Sequence, residues 1–213
     1  MNNGLFIFLG ILVTLTLSWA ATVLSPQKQE GLGQLVPYYD MNEDKNFPRP
    51  MSGLAEQGQK VYQDLGCVYC HTQQVRRSGY GNDVGEGSRN WGERQSVARD
   101  YIQQDRVQLG SLRVGPDLTN VGSRELSEEW HFRHFYNAQL EVAGSNMPSY
   151  SFLYEEKEIL GEPSPNALSL DGELAPKEGF EIIPTRRAEA LVAYMLSLKT
   201  PYSLPEAEEV ERD

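Results

Sequence analysis

Side chains that bind metals or form disulfide frameworks are scarce in this sequence of 213 residues, which has two cysteines and three histidines. Two cysteines form at most one disulfide, which excludes a small fold stapled by several bridges. A structural zinc site normally takes four ligands from two separated pairs, and the chain offers one cysteine pair. Basic residues are also few, since 19 Lys and Arg face 30 Asp and Glu. The net charge of −11 therefore argues against binding of nucleic acid.

The two cysteines stand together in one motif, Cys67-Val68-Tyr69-Cys70-His71. C-x-x-C-H is the pattern for covalent haem attachment, in which two thiols add across two porphyrin vinyl groups and the histidine becomes the proximal iron ligand. The motif predicts that Cys67 and Cys70 hold one haem c and that His71 binds its iron. A thiol–disulfide module and a metal site remain alternatives. A thioredoxin-type C-x-x-C follows a strand in a βαβ unit, and no such pattern surrounds Cys67.

Met147 is the predicted second axial ligand, on the side of the iron opposite His71. A methionine ligand raises the reduction potential of a haem, and it has to come from a stiff loop far along the chain. Met147 precedes Pro148, and a proline restricts the backbone of the residue before it. The rival downstream of the motif, Met195, lies on a helical stripe of apolar residues and is therefore expected in the core.

Other residues have candidate roles around the predicted haem. A proximal histidine needs a hydrogen-bond acceptor at its second ring nitrogen, and a carbonyl held rigid by Pro116 is our candidate. Arg76 and Arg113 are candidates for contacts with the haem propionates. His131 and His134 could bind a metal or form a second haem ligand set, but no second C-x-x-C-H motif exists. Structural or interface roles are therefore favoured for these two histidines.

A long apolar run occupies residues 5–24 and is about 20 residues long, roughly the length that crosses a bilayer. Two interpretations stay open, a retained transmembrane anchor and a cleaved signal peptide with small residues around Trp19. The absence of Lys or Arg before the run, and apolar residues continuing to Leu24, favour the anchor. Because haem attachment to C-x-x-C-H takes place outside the cytoplasm, we expect the N-terminus inside and the globular domain outside.

The order of these features resembles a class I cytochrome c: a helix, C-x-x-C-H, a Gly-Pro turn, a methionine loop and a closing helix. More closely, the chain resembles the membrane-anchored mono-haem subunit (subunit II) of cbb3-type cytochrome c oxidases. The blocks that carry the resemblance are Gly66–Arg76, Arg113–Leu118, Gly122–His131 and Ser145–Tyr150. It implies a non-catalytic electron-transfer subunit, single-pass in a bacterial inner membrane, with one covalent haem c on the periplasmic side.

The same resemblance implies that the partners are the membrane, the catalytic haem–copper subunit and the other cytochrome c subunits of the oxidase. An anchored mono-haem cytochrome serving another partner, such as a nitric oxide reductase, remains an alternative. The sequence departs from the family pattern between Arg77 and Gln108, at Leu109, where a tryptophan is expected, and at Ala138, where a proline is expected. These departures concern the surface that faces a partner more than the haem site.

The predicted fold class is mainly α, with an N-terminal transmembrane helix and a class I cytochrome c-like domain with long loops. The predicted divisions are an anchor at 1–25, an extracytoplasmic linker at 26–51, a cytochrome c domain at 52–200 and an acidic tail at 201–213. Helices are expected after Ser52, Ser127 and Thr185, whose hydroxyl groups can cap a first turn. Residues 155–184, rich in glycine and proline, are expected to form a loop.

Overall fold

The computed structural model describes residues 3–29, 32–33, 35–81, 83–84, 88–124 and 126–207. The chain divides into two compact units. The first comprises Met1–Pro48 with Ala98–Ile102, and the second comprises Arg49–Val97 with Gln103–Asp213. The described part is mostly helix and loop with little sheet, which confirms the coarse prediction of a mainly α chain.

The first unit begins with a continuous helical segment. Helix α1 spans Gly4–Trp19, a π-helical turn spans Ala20–Leu24, and helix α2 spans Ser25–Lys28. Together they form a helix of 25 residues whose apolar side chains are unburied, which makes it a candidate single membrane span. The helix extends past the predicted end of the anchor because Pro26 lies in the first turn of α2, where proline is tolerated.

The predicted linker contains a short hairpin that the sequence pattern did not predict. Strand β1 spans Tyr38–Asp40 and pairs antiparallel with strand β2, Lys45–Phe47. The turn between them is held by the Asp40 carboxylate, which accepts a hydrogen bond of 2.7 Å from the backbone N–H of Asn42. Such an aspartate side chain mimics a backbone turn and tolerates tight geometry.

The second unit is framed by helices α3 (Gly53–Asp64), α4 (Glu128–Tyr136) and α5 (Arg186–Ser197). The predicted caps of α3 and α4 are confirmed. Ser52 Oγ accepts from the N–H of Ala55 at 3.3 Å, and Ser127 Oγ accepts from the N–H of Trp130 at 3.0 Å. Each cap satisfies a backbone N–H that the helix itself leaves without a partner.

Thr185 precedes α5 as predicted, but its hydroxyl does not cap the helix. That hydroxyl donates to the carbonyl oxygen of Leu153 at 2.7 Å and ties the start of α5 to a distant segment. The prediction of a Thr185 side-chain cap was wrong because capping competes with tertiary hydrogen bonding, which sequence spacing cannot show.

Helices α3 and α5 pack closely at the centre of the second unit. A Cβ atom placed on Gly58 would lie 1.9 Å from the carbonyl oxygen of Ala190, so only glycine permits this approach. Around the contact lies the main apolar core, and Met195 is 3% exposed there, as predicted. Tyr194 on α5 donates a hydrogen bond of 3.0 Å to the Gln73 side chain, which links the core to the segment following the cysteine motif.

Residues 155–184 do not form a plain loop. Strand β3, Tyr154–Glu158, pairs antiparallel with strand β4, Phe180–Pro184. Four of the five residues of β3 are exposed and four are charged, so the sequence lacks the alternation that marks a half-buried strand. The connection between the strands is anchored by Leu168 and Leu170, which are buried in the main core.

The packed second unit continues beyond the predicted boundary at residue 200. Tyr202, Leu204 and Ala207 are buried, and the carbonyl oxygen of Tyr202 accepts a hydrogen bond of 3.0 Å from Arg94 Nε. The rest of the predicted acidic tail, residues 208–213, lies outside the described residues.

Candidate functional site

One tight turn presents both cysteines. Helix α3 ends at Asp64, and Gly66 takes a left-handed conformation with φ of 72°, which suits glycine at a helix end. A single 3₁₀ turn then spans Cys67–Tyr69, and the carbonyl oxygen of Cys67 accepts the N–H of Cys70 at 3.1 Å and of His71 at 3.0 Å. Both thiols are free, with Cys67 half-buried and Cys70 exposed.

The imidazole of His71 is oriented by the predicted partner. Its Nδ1 lies 2.8 Å from the carbonyl oxygen of Pro116. Because that carbonyl can only accept, Nδ1 carries the proton and Nε2 keeps a lone pair for a metal ion. Burial lowers the pKa of His71 and favours the neutral ring, although the hydrogen bond to Pro116 opposes that shift.

Two glycines that the sequence pattern did not single out shape the surroundings of His71. A Cβ on Gly115 would lie 2.3 Å from His71 Cε1, so the glycine backbone itself forms one wall of the imidazole site. Gly110 has φ of +68°, and a Cβ there would lie 2.5 Å from the carbonyl oxygen of His71. The only sequence signal was the Gly-Pro pair, which is too common to identify a ring contact.

Backbone hydrogen bonds fasten the cysteine motif to the segment around residue 115. The N–H of Gly115 donates to the carbonyl oxygen of Cys70 at 3.0 Å, and the N–H of Leu118 donates to that of Thr72 at 2.8 Å. These two bonds bracket the position of His71. The surroundings of His71 are therefore built by two chain segments more than 40 residues apart in sequence.

Arg113 is held by hydrogen bonds within the protein. Its guanidinium donates to Asp83 twice, at 2.8 Å each, to Thr72 Oγ1 at 2.9 Å and to the carbonyl oxygen of Gln74 at 2.6 Å. Arg76 is exposed, and its backbone N–H donates to Asp83 at 2.7 Å. Contacts with haem propionates stay predictions for both arginines. Because the guanidinium of Arg113 already donates hydrogen bonds within the protein, Arg76 is the better candidate for these contacts.

The loop around Met147 packs against the main apolar cluster. Met147 is half-buried and packs against the same apolar cluster as Cys67. Its backbone N–H donates to Ser145 Oγ at 3.2 Å, which stiffens the loop. The backbone N–H of Tyr150 donates a hydrogen bond of 2.9 Å to the carbonyl oxygen of Phe135, which fixes the end of the loop. Burial raises the pKa of Cys67 to about 11, so this sulfur is a thiol at neutral pH.

His131 and His134 belong to an aromatic cluster on α4. The ring of Trp130 stacks on His134 at a centroid distance of 4.6 Å and meets His131 edge-on at 5.1 Å. Burial lowers the pKa of His131 to about 4, so its ring is neutral at ordinary pH. Within the described residues, no group of three or more His, Cys, Asp or Glu side chains is arranged to hold a metal ion.

The donor set suits a covalently attached haem. Two free thiols on one turn match two thioether bonds, a neutral imidazole offers Nε2, and the Met147 thioether comes from a separate stiff loop. The contact between Gly115 and the His71 ring leaves room for a flat imidazole and for no added methyl group. These residues could therefore hold one haem c group.

Comparison with protein families identifies a relationship. A protein-family model described as "Cytochrome C oxidase, mono-heme subunit/FixO" matches residues 24–170, which is more than half of the chain. The matched region contains both cysteines, His71, Pro116 and Met147. No curated protein matches the chain.

Proposed function

We infer, because this chain belongs to the FixO family of mono-haem cytochrome c oxidase subunits, that it carries one covalent haem c and relays electrons within a cbb3-type oxidase. The observation that carries the proposal is the 2.8 Å hydrogen bond between His71 Nδ1 and the Pro116 carbonyl, directly beside two free thiols on one turn. That bond leaves Nε2 unprotonated and able to bind iron, whereas the chemistry of a thiol–disulfide module does not require it.

Each residue of the proposed site has one task. Cys67 and Cys70 would supply the thioether sulfurs, and His71 Nε2 and the Met147 sulfur would bind the iron. When bound, the haem supplies a one-electron couple between ferric and ferrous iron. The protein supplies the orientation of the ligands, and its half-buried apolar environment and methionine ligand raise the potential relative to a water-exposed haem.

The order of elements supports a class I cytochrome c-like fold for the second unit. Helix α3 leads into the cysteine turn, the Pro116 segment closes the proximal side, α4 precedes the Met147 loop, and α5 packs back on α3. Close packing of the first and last helices, at Gly58 and Ala190, lets the cysteine turn follow directly from a rigid element.

We propose that the apolar helix Gly4–Lys28 is a retained anchor in a bacterial inner membrane and that the haem domain lies on its periplasmic side. Covalent haem attachment outside the cytoplasm supports this orientation. The proposed partners are the catalytic haem–copper subunit and the other cytochrome c subunits, to which this subunit passes electrons for oxygen reduction. The subunit itself forms and breaks no substrate bonds.

Purification of the native complex in mild detergent tests the proposal. We expect one haem per chain that survives acid–acetone extraction, together with a polytopic haem–copper subunit. Co-purification with a nitric oxide reductase instead would keep the haem and overturn the oxidase assignment. A colourless chain with two reactive thiols would overturn the haem assignment as well. Cys67→Ser combined with Cys70→Ser is the matched control, and it should lose covalent haem.

A further inference from the structure

An ion pair lies buried next to the cysteine motif. Arg113 and Asp83 are joined by two hydrogen bonds of 2.8 Å, and their side chains are 11% and 0% exposed. The same guanidinium lies 5.0 Å from the ring centroid of Trp91. Burial of a charged pair in this way is costly unless further hydrogen bonds satisfy it, and its retention points to a specific geometric role.

Asp117 connects this ion pair to the segment that follows His71. It is fully buried, and its carboxylate accepts hydrogen bonds from the Thr72 hydroxyl and, at 2.8 Å, from the N–H of Gln74. The Arg113 guanidinium lies 3.7 Å from the same carboxylate and donates to Thr72 Oγ1 at 2.9 Å. Thr72 is thus the point at which the aspartate and the arginine meet.

The positions of Thr72 and Asp117 in the sequence connect their hydrogen bond to the surroundings of His71. Thr72 directly follows His71, and Asp117 directly follows Pro116. The side-chain bond between Thr72 and Asp117 therefore joins the same two segments as the bond between the His71 ring and the Pro116 carbonyl, one residue further along each segment. Loosening of the first bond is expected to change the second.

We propose that Thr72, held by Arg113 and Asp117, is a positioning residue that fixes the His71–Pro116 hydrogen bond and thereby sets the reduction potential of the haem iron. The inference rests on the proposed function and names how that site is tuned. A strong bond from Nδ1–H gives the imidazole more anionic character and makes Nε2 a better donor to ferric iron. A weakened bond favours ferrous iron, so the potential rises.

Thr72→Val is the sharpest test, because it removes the hydroxyl at nearly constant volume, and Thr72→Ser is the matched variant that keeps it. In the full-length holoprotein, Thr72→Val should raise the equilibrium ratio of ferrous to ferric haem at fixed potential by up to about tenfold, which is 59 mV for one electron. It should also speed hydrogen–deuterium exchange of the His71 Nδ1–H, followed by NMR in the reduced state. Thr72→Ser should restore both values.

Arg113→Gln should shift the potential and the exchange rate in the same direction. The matched control is Arg133→Gln, since Arg133 forms a comparable half-buried pair with Glu141 at 2.6 Å on α4. If Arg113→Gln fails to fold, the comparison of Thr72→Val with Thr72→Ser still tests the inference. The inference is overturned if Thr72→Val holoprotein keeps the wild-type potential and exchange rate, or if Arg133→Gln shifts them equally.

The two proposals fail in distinguishable ways. Absence of covalent haem in the wild-type chain removes the proposed function and, with it, this inference. If the wild-type chain carries haem but its reduction potential does not depend on the Thr72 hydroxyl, the proposed function stands and only the inference is overturned.

Discussion

The Gly115 backbone lies against the imidazole of His71 so closely that a Cβ on Gly115 would be 2.3 Å from Cε1, 2.8 Å from Nδ1 and 2.9 Å from Nε2. No atom of that size fits at such distances. The ring that is proposed to bind iron is therefore held between a carbonyl oxygen at its Nδ1 edge and a bare backbone at its face.

Gly115→Ala is expected to displace the His71 ring and to impair haem incorporation. Forcing a methyl group into a filled site costs about 1–3 kcal/mol, which corresponds to roughly a tenfold loss of correctly ligated protein or more. Haem per chain, measured by absorbance after acid–acetone extraction, and ligation, measured in the visible spectrum, report the effect. Val114→Ala, at a neighbouring residue that is 70% exposed, should leave both unchanged. Normal ligation in Gly115→Ala would contradict the packing described.

Met147→Leu should remove the second axial ligand at nearly constant volume. We expect loss of the weak charge-transfer band at the red end of the oxidised spectrum and a lower reduction potential, within the span of about 0.8 V that axial ligands cover. Met195→Leu is the matched control, because Met195 lies 3% exposed in the core and should keep the band. An unchanged spectrum in Met147→Leu would assign the ligand role to another residue.

Gly58→Ala should destabilise the packing of α3 on α5, because the added Cβ would lie 1.9 Å from a backbone oxygen of Ala190. Separation of the helices is expected to cost about 1–3 kcal/mol of unfolding free energy, measured by urea denaturation of the holoprotein. Gly53→Ala provides the control, since a Cβ there meets nothing within 4 Å and alanine favours a helix. Equal stability of the two variants would contradict the close approach.

Stability should fall as the pH drops below about 6.5, and His131 accounts for part of the loss. Burial lowers the pKa of His131 from 6.5 to about 4. Between these two pH values, His131 binds a proton in the unfolded chain and stays neutral in the folded chain. The contribution is fully present above pH 6.5 and is lost by pH 4, with a limit of about 3 kcal/mol. His131→Phe should flatten this part of the unfolding free energy against pH, and an unchanged slope would contradict it.

The cysteine turn was predictable because its motif lies in adjacent residues, whereas Pro116, which is distant in the sequence, was predictable because a ligating histidine needs a rigid acceptor. C-x-x-C-H needs one short turn, and the structure forms that turn. The partner nitrogen of His71 needs a rigid acceptor, and the Pro116 carbonyl lies at 2.8 Å. The capping serines of α3 and α4 were predictable for the same reason, since a cap acts within three residues.

What could not be predicted depends on contacts between distant segments. The charged strand β3 gives no alternating signal, yet it pairs with β4, and the connection between the strands contains buried leucines. The role of Arg113 depends on Asp83, 30 residues away, and on Thr72, 41 residues away. Likewise, the Thr185 hydroxyl donates a hydrogen bond to the carbonyl oxygen of Leu153 and does not cap its own helix. Spacing within a window of ten residues carries none of this information.

The hydrogen bond from Tyr194 to Gln73 joins positions 121 residues apart. Helix α5 therefore belongs to the support of the cysteine turn, although it lies far from that turn in the sequence. A chain that lacks α5 would keep both thiols and lose this bond. We therefore expect the segment after the cysteines to be less ordered, and the thiols more accessible, in a chain truncated before α5.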